Sequence, residues 1–369
     1  MFLVFNIESE MQRGPLLEKL PIVGNLDSVV GMQAQNGRWI YLFGETHNAP
    51  YIKKNDIVDH VFKYCQSKPV TYIIENDSPL QDDATILMLM RMTMGNERMS
   101  DNMNGPIMRV KKTSLTTQSL IRIKDLDARI QVPFHLLWNT QEDTPFPERA
   151  STDFLRELIP HVRSRKNLAA FLRGLILPTE PPVEWFAEIA KKYKIPPWVG
   201  KGNIRKEMVR LHKSDPDAYA LIDDYISSVF QQRIHKNARI SPVLEWAAAE
   251  LPNVGTKYID HIQRPLEEVF VPSLAVLCDV QALIQLQMEL TTDSMDPIVI
   301  HLGHVHVVAL AHRVSMMARS ENSWIAFGNN EADTASVDLS TAESLNSDVF
   351  FKGGKKPAKE ATTTKSHKK

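Results

Sequence analysis

The chain has 369 residues and a formal net charge of −1, with 43% hydrophobic and 24% charged residues. That is material for one large or two ordinary domains around a well-buried core, in the balance of an ordinary soluble globular protein. Its two cysteines, Cys65 and Cys278, cannot build a disulfide framework. No apolar run approaches the roughly 18 residues of a membrane span, and the opening MFLVFNIESE lacks a basic region and a small-residue cleavage site. A secreted disulfide scaffold, a collagen, a coiled coil and a transmembrane protein are thereby excluded, and a cytoplasmic location is expected.

Taken along the chain, the first structure is a hairpin. Ser28–Ala34 and Arg38–Gly44 are apolar runs separated by Gln35-Asn36-Gly37, and Asn-Gly between such runs is a strong hairpin signal. The WIYLF run is nearly all apolar, as in a strand buried on both faces. Residues 51–66 read as a helix, with Ile57, Val58, Val61, Phe62 and Cys65 on one face. Val70–Glu75 is a second buried strand. Strand, helix, strand at this spacing is a βαβ unit, so the two strands are expected to run parallel.

Residues 80–118 hold seven of the fifteen methionines, at positions 88, 90, 92, 94, 99, 103 and 108. Thioethers suit a soft-metal site or an adaptable binding surface, but no Cys or His accompanies them, which favours a Met-filled helix and loop. SLIRIKDLD and IQVPFHLLW are two further short strands. From about 150 to 290 apolar residues recur three and four apart, a helical insertion or subdomain. Strand returns at Pro297–Leu302, followed by a helix from about Val305 to Ala318 and a last strand near Trp324–Phe327. The expected organisation is an α/β protein with a mostly parallel central sheet flanked by helices. Residues 1–149 and 291–330 form its core, 150–290 a helical insertion or lid, and 331–369 a disordered tail. From Lys352 onward that tail carries seven lysines and one glutamate. Such a tail can bind nucleic acid or acidic surfaces by counterion release, although most are simply solvated.

Three strand ends carry chemistry: Gly44-Glu45-Thr46-His47, Glu75-Asn76-Asp77 and Gly303-His304-Val305-His306. The carboxyl ends of parallel strands form the ligand crevice of an α/β sheet, so groups placed there by separate strands can converge. Glycine at each exit permits a tight turn or a close backbone approach. Two imidazoles and a carboxylate are a common ligand set for Zn, Mn or Fe. No GxGxxG, P-loop, HExxH or GxSxG occurs, which disfavours dinucleotide enzymes, P-loop NTPases, thermolysin-like proteases and serine hydrolases. Cys65 and Cys278 read as buried helix residues, His135 as a core or edge histidine, and His312 as a packing residue.

This pattern resembles the TIKI/TraB, ChaN-like and erythromycin-esterase-like superfamily, marked by two G-x-x-H motifs with acidic residues between them. Gly44–His47 is similar to the first motif, Glu75 to the glutamate ending the next strand, Asp127 and Arg129 to a D-x-R element, and Gly303–His306 to the closing motif. The resemblance covers about 27–140 and 290–330. It implies an α/β fold with the histidines and glutamates in one site, in a group that includes metal-dependent peptidases, metal-free esterases and a haem-binding lipoprotein. His304 and His301 depart from the pattern. If the segment after Gly303 stays extended, His304 and His306 share a face; if a helix starts there, His306 alone matches.

The expectation is a hydrolase acting on a peptide, ester or lactone carbonyl. His47, Glu75 and His306 or His304 would hold a divalent metal. Glu45 would be general base, further ligand or merely a solvated turn residue. Arg129, with Asp127, would hold a substrate carboxylate or stabilise an oxyanion, or else form a structural salt bridge. A non-catalytic haem-type binder or a scaffold on the same fold is the alternative.

Overall fold

In the computed structural model, which describes residues 12–45, 55–75, 110, 120–126, 148–181, 183–192, 204–253, 259–328 and 336–345, a short helix α1 (Gly14–Leu17) and strand β1 (Ile22–Gly24) precede the hairpin of β2 (Ser28–Gln33) and β3 (Trp39–Glu45). Gly37 N–H donates to Ala34 O and Ala34 N–H to Arg38 O. With Gly37 at φ 86°, this is the turn-plus-bulge of a three-residue loop, where a left-handed residue is required and glycine supplies it without strain. Helix α2 (Ile57–Tyr64) starts later than the expected 51–66. Asn55 takes a left-handed φ of 56°, and the Asp56 carboxylate accepts from Val58 N–H, capping the first turn.

Strands β4 (Val70–Glu75) and β5 (Ile121–Leu126) follow. Then come α3 (Glu148–Val162), α4 (Arg165–Ile176), α5 (Glu184–Lys192), α6 (Ile204–Ser214), α7 (Pro216–Val229), α8 (Ile240–Glu250) and the long α9 (Ile259–Leu290). The chain returns through β6 (Ile298–Gly303), α10 (His304–Met317) and β7 (Ser323–Phe327). Two short strands beyond the expected last one, β8 (Ser336–Asp338) and β9 (Glu343–Ser344), complete the described elements.

The seven-stranded sheet has the order β5-β4-β6-β3-β2-β7-β9, and β1 pairs with β8 in a separate ladder. Strands β5, β4, β6 and β3 are mutually parallel, and β2, β7 and β9 extend the sheet antiparallel. The fold is therefore α/β with a sheet parallel over its chemically interesting half. β3 and β4 do run parallel, but β6 lies between them, so the last strand of the parallel set is threaded into the centre. This brings the three strand ends side by side.

Side-chain alternation then sorts the sheet into two faces. Ile40, Leu42, Ile73, Ile300 and Leu302 join one hydrophobic cluster with the helices from α3 through α10. Tyr41, Phe43, Tyr72, Ile74 and Val299 join another with α1 and α2. The helical block and the sheet thus share one core. α10 packs on β3, β2 and β6, and α9 on β4, β5 and β6. Glu268–Leu290 of α9 is long and apolar enough to cross a membrane, yet 87% of it is buried within the protein. It is a core helix, and the expectation that no segment reaches that length gives way to it. Buried Arg38 fastens the hairpin loop to the end of α9, donating to the carbonyls of Glu289 and Asp296 at 2.5 Å. Burial lowers its pKa, and Glu289 opposes that shift. The strand IQVPFHLLW, the methionine-rich stretch apart from Val110, and the lysine-rich tail lie outside the described residues.

Candidate metal centre at the strand ends

Gly303 ends β6 and is the N-cap of α10. The helix therefore begins at His304, which decides how the two late histidines point. Two residues apart on a helix are about 200° apart, so they face different surroundings. His304 Nδ1 lies 2.9 Å from Ser28 Oγ, with the ring edge-on to Phe327. His306 turns inward and is 4% exposed.

His306 meets a second and a third element there. Its Nδ1 lies 2.6 Å from Asp279 Oδ1 on α9, and its Nε2 lies 3.8 Å from Glu75 Oε1 at the end of β4. Glu75 Oε2 accepts the N–H of Gly303 at 2.8 Å, which puts the carboxylate at the positive end of α10. Asp279 is fully buried and also accepts from the Tyr225 hydroxyl, with Arg233 3.9 Å away. Burial, reinforced by the neighbouring Asp279 charge, raises the Tyr225 pKa far above its ordinary value, so Tyr225 stays a neutral donor. Beside Asp279 on α9, the Cys278 thiol completes a group with Glu75 and His306 in which the ligand atoms all lie within 4.8 Å of one another. All three are buried, and a carboxylate, a thiol and an imidazole at this spacing can hold a metal ion.

A second buried pair sits on the opposite face. His301, in β6, places Nε2 3.1 Å from Glu45 Oε2, a charge contact without the alignment of a hydrogen bond. Its Nδ1 lies 2.7 Å from the Tyr72 hydroxyl, and Phe43 packs edge-on against the ring. Burial, and secondarily the Glu45 charge, pushes the Tyr72 pKa well up, so its hydroxyl stays protonated beside Nδ1, while Nε2 faces Glu45. Gly44, one residue earlier, serves close approach: a Cβ there would lie 2.2 Å from Ser28 Oγ and 3.0 Å from His304 Cα.

Of the residues singled out in the sequence, the structure brings Glu75 and His306 together. It places His304 against Ser28, and Glu45 with His301 on the other face. His47, Asp127 and Arg129 lie outside the described residues. Two members of the cluster escaped the sequence reading, Cys278 and Asp279. The available signal was an aspartate inside a long apolar helical stretch, since a buried carboxylate must find a partner. Comparison of the chain with protein-family models, with curated proteins and with solved structures finds no match.

Proposed function

We propose that this protein is a divalent-metal-assisted hydrolase of the TIKI/TraB–erythromycin-esterase type, acting on a peptide, ester or lactone carbonyl. One observation carries the metal reading: the buried Glu75, Cys278 and His306 bring their ligand atoms within 4.8 Å of one another. Asp279 lies at His306 Nδ1, and His306 Nε2 is 3.8 Å from Glu75 Oε1. A carboxylate, a thiol and an imidazole converging in a buried space are a donor set suited to a divalent cation. Carboxylate–histidine pairing of this kind is also the usual outer support of a metal-binding imidazole.

The residues fit such an ion. Glu75 and His306 would hold it, Asp279 would fix the imidazole's orientation and Tyr225 would keep Asp279 in place. Three protein ligands would leave the open position characteristic of catalytic rather than structural sites. A bound divalent ion supplies Lewis-acid polarisation of a carbonyl and acidifies water towards neutrality. Glu45, the proton acceptor expected from the sequence, ends the neighbouring strand with its Cα in register with Gly303. Its side chain, however, meets His301 on the opposite face of the sheet, so proton transfer at the ion is not assigned to it.

Metal content by mass spectrometry tests the reading, with the wild type measured beside Glu75→Ala, His306→Ala and His47→Ala, the last covering the further ligand expected from the sequence. Near-stoichiometric metal in the wild type, lost in Glu75→Ala and His306→Ala together with hydrolysis of a panel of esters, lactones and peptides, is the expected result. Metal retained without hydrolysis of any class favours the binding protein instead. No metal in the wild type, even after divalent ions are supplied, overturns the metal reading.

A further inference from the structure

The strand ends carry oxygen and nitrogen donors, which by themselves would suit manganese or iron as well as zinc. The helical block adds something different. Cys278 and Asp279 are consecutive on α9, and neighbouring helix residues splay by about 100°. One turn of that helix therefore offers two groups to the same site, the thiol to the cluster with Glu75 and the carboxylate to the far side of the His306 ring. Cys278 is 1% exposed.

We infer that Cys278 is a direct thiolate ligand of the proposed ion and that it makes the centre selective for zinc over manganese, the helical block thereby supplying part of the metal site. The inference rests on the metal reading above. A tetrahedral Zn(Cys, His, Glu) arrangement brings its donor atoms to roughly 3.3–3.6 Å of one another. The separation between His306 Nε2 and Glu75 Oε1 is already 3.8 Å, and the widest pair, within 4.8 Å, closes by side-chain rotation. The thiol releases its proton to solvent as it binds, so the step is a plain exchange of H⁺ for metal. Soft thiolate prefers zinc, whereas manganese prefers hard oxygen ligands. The site would join β4, α9 and α10, so the same ion would clamp the helical block to the sheet.

Cobalt(II) replaces zinc and reports its ligands optically, independently of any turnover. The full chain is stripped with a chelator and titrated with Co²⁺, as wild type, Cys278→Ser and Cys278→Ala. The wild type is expected to show the intense visible d–d bands of a tetrahedral ion together with a thiolate-to-cobalt charge-transfer band in the near ultraviolet. Zn²⁺ should abolish both and Mn²⁺ neither. Both variants should lose the charge-transfer band and keep weaker d–d bands, which also shows that they fold. Their zinc affinity should fall by more than the roughly 10–100-fold typical of losing an outer-shell partner. Three results overturn the inference while leaving the metal reading intact: d–d bands without charge transfer in the wild type, a charge-transfer band that survives in Cys278→Ser, or displacement by Mn²⁺ as readily as by Zn²⁺. Absence of any d–d band in the wild type overturns both.

Discussion

On the α2 side of the sheet, Glu45 and His301 meet at 3.1 Å, and the Tyr72 hydroxyl occupies the imidazole's other nitrogen. On the α9 side, Glu75 and His306 stand 3.8 Å apart, and Asp279 occupies the other nitrogen. The residue types are the same, both pairs are buried, and the strand ends are neighbours. What differs is the third partner. A neutral hydroxyl sits at Nδ1 of His301, whose Nε2 faces Glu45. A carboxylate sits at Nδ1 of His306, whose Nε2 faces Glu75 with the Cys278 thiol beside them. The second, unlike the first, gathers a carboxylate, a thiol and an imidazole close enough to hold one ion, with a further carboxylate behind the imidazole. Which strand-end glutamate serves which role is therefore set by a residue elsewhere in the fold.

The largest expected disruption of this contrast is Asp279→Ala. It removes the acceptor for both His306 and Tyr225 and the counter-charge near Arg233. Breaking a buried, hydrogen-bonded charge site of this kind typically costs about 3–5 kcal/mol, measurable by urea denaturation of the metal-free protein. His306 loses the carboxylate that orients its ring, so cobalt affinity should fall roughly 10–100-fold. Asp279→Asn, which keeps an acceptor for Nδ1–H, should recover most of the cobalt spectrum. Full metal affinity in Asp279→Ala would show that Asp279 does not orient the imidazole for the ion.

A smaller disruption is Gly44→Ala. The added methyl meets Ser28 Oγ and the backbone of His304, and such overpacking commonly costs about 1–3 kcal/mol. Its direction is informative. Gly44 shares the face of Ile40 and Leu42, beneath the first turn of α10. The substitution should displace His304 and His306 while leaving the Tyr72–His301 pair in place. Histidine NMR resonances that shift for His304 and His306 but not for His301 would bear this out. Equal shifts for all three would mean that the two faces are mechanically coupled.

Much of this was legible in the sequence. The Asn36-Gly37 hairpin, the buried run of β3, the strand ending at Glu75 and the glycine-punctuated exits all follow from local pattern, and pattern is what fixes strands and turns. The choice between His304 and His306 needed the start of α10, which Gly303 permits but does not dictate, since glycine ends strands and caps helices alike. The separation of Glu45 from Glu75 onto opposite faces is visible in the alternation once strand boundaries are known: Glu45 has the parity of Tyr41 and Phe43, and Glu75 that of Ile73. Local reading could flag an aspartate in an apolar helix but could not place Cys278 and Asp279 at the site. They lie some 200 residues from Glu75 in sequence, and only the packing of α9 on β4 and β6 brings them to the site.

The smallest expected effect isolates the other face. Tyr72→Phe removes the hydroxyl from His301 Nδ1, a loss of about 0.5–1.5 kcal/mol, and should leave the cobalt spectrum unchanged because no metal ligand is touched. Its pH signature is specific. Burial raises the folded pKa of Tyr72 well above the ordinary tyrosine value, so the folded state keeps its proton where the unfolded chain, titrating near pH 10, gives it up. The stabilisation is thus fully present below about pH 10 and is lost as pH rises beyond it, with a slope approaching 1.4 kcal/mol per pH unit for each such tyrosine. Tyr225 carries a shift of the same sign and will continue to contribute in the variant. Urea midpoints across about pH 9 to 11 should therefore fall less steeply in Tyr72→Phe than in the wild type, by roughly one tyrosine's share. An unchanged slope would mean that Tyr72 ionises in the folded protein, and a lost cobalt spectrum would mean that the two imidazoles belong to one site.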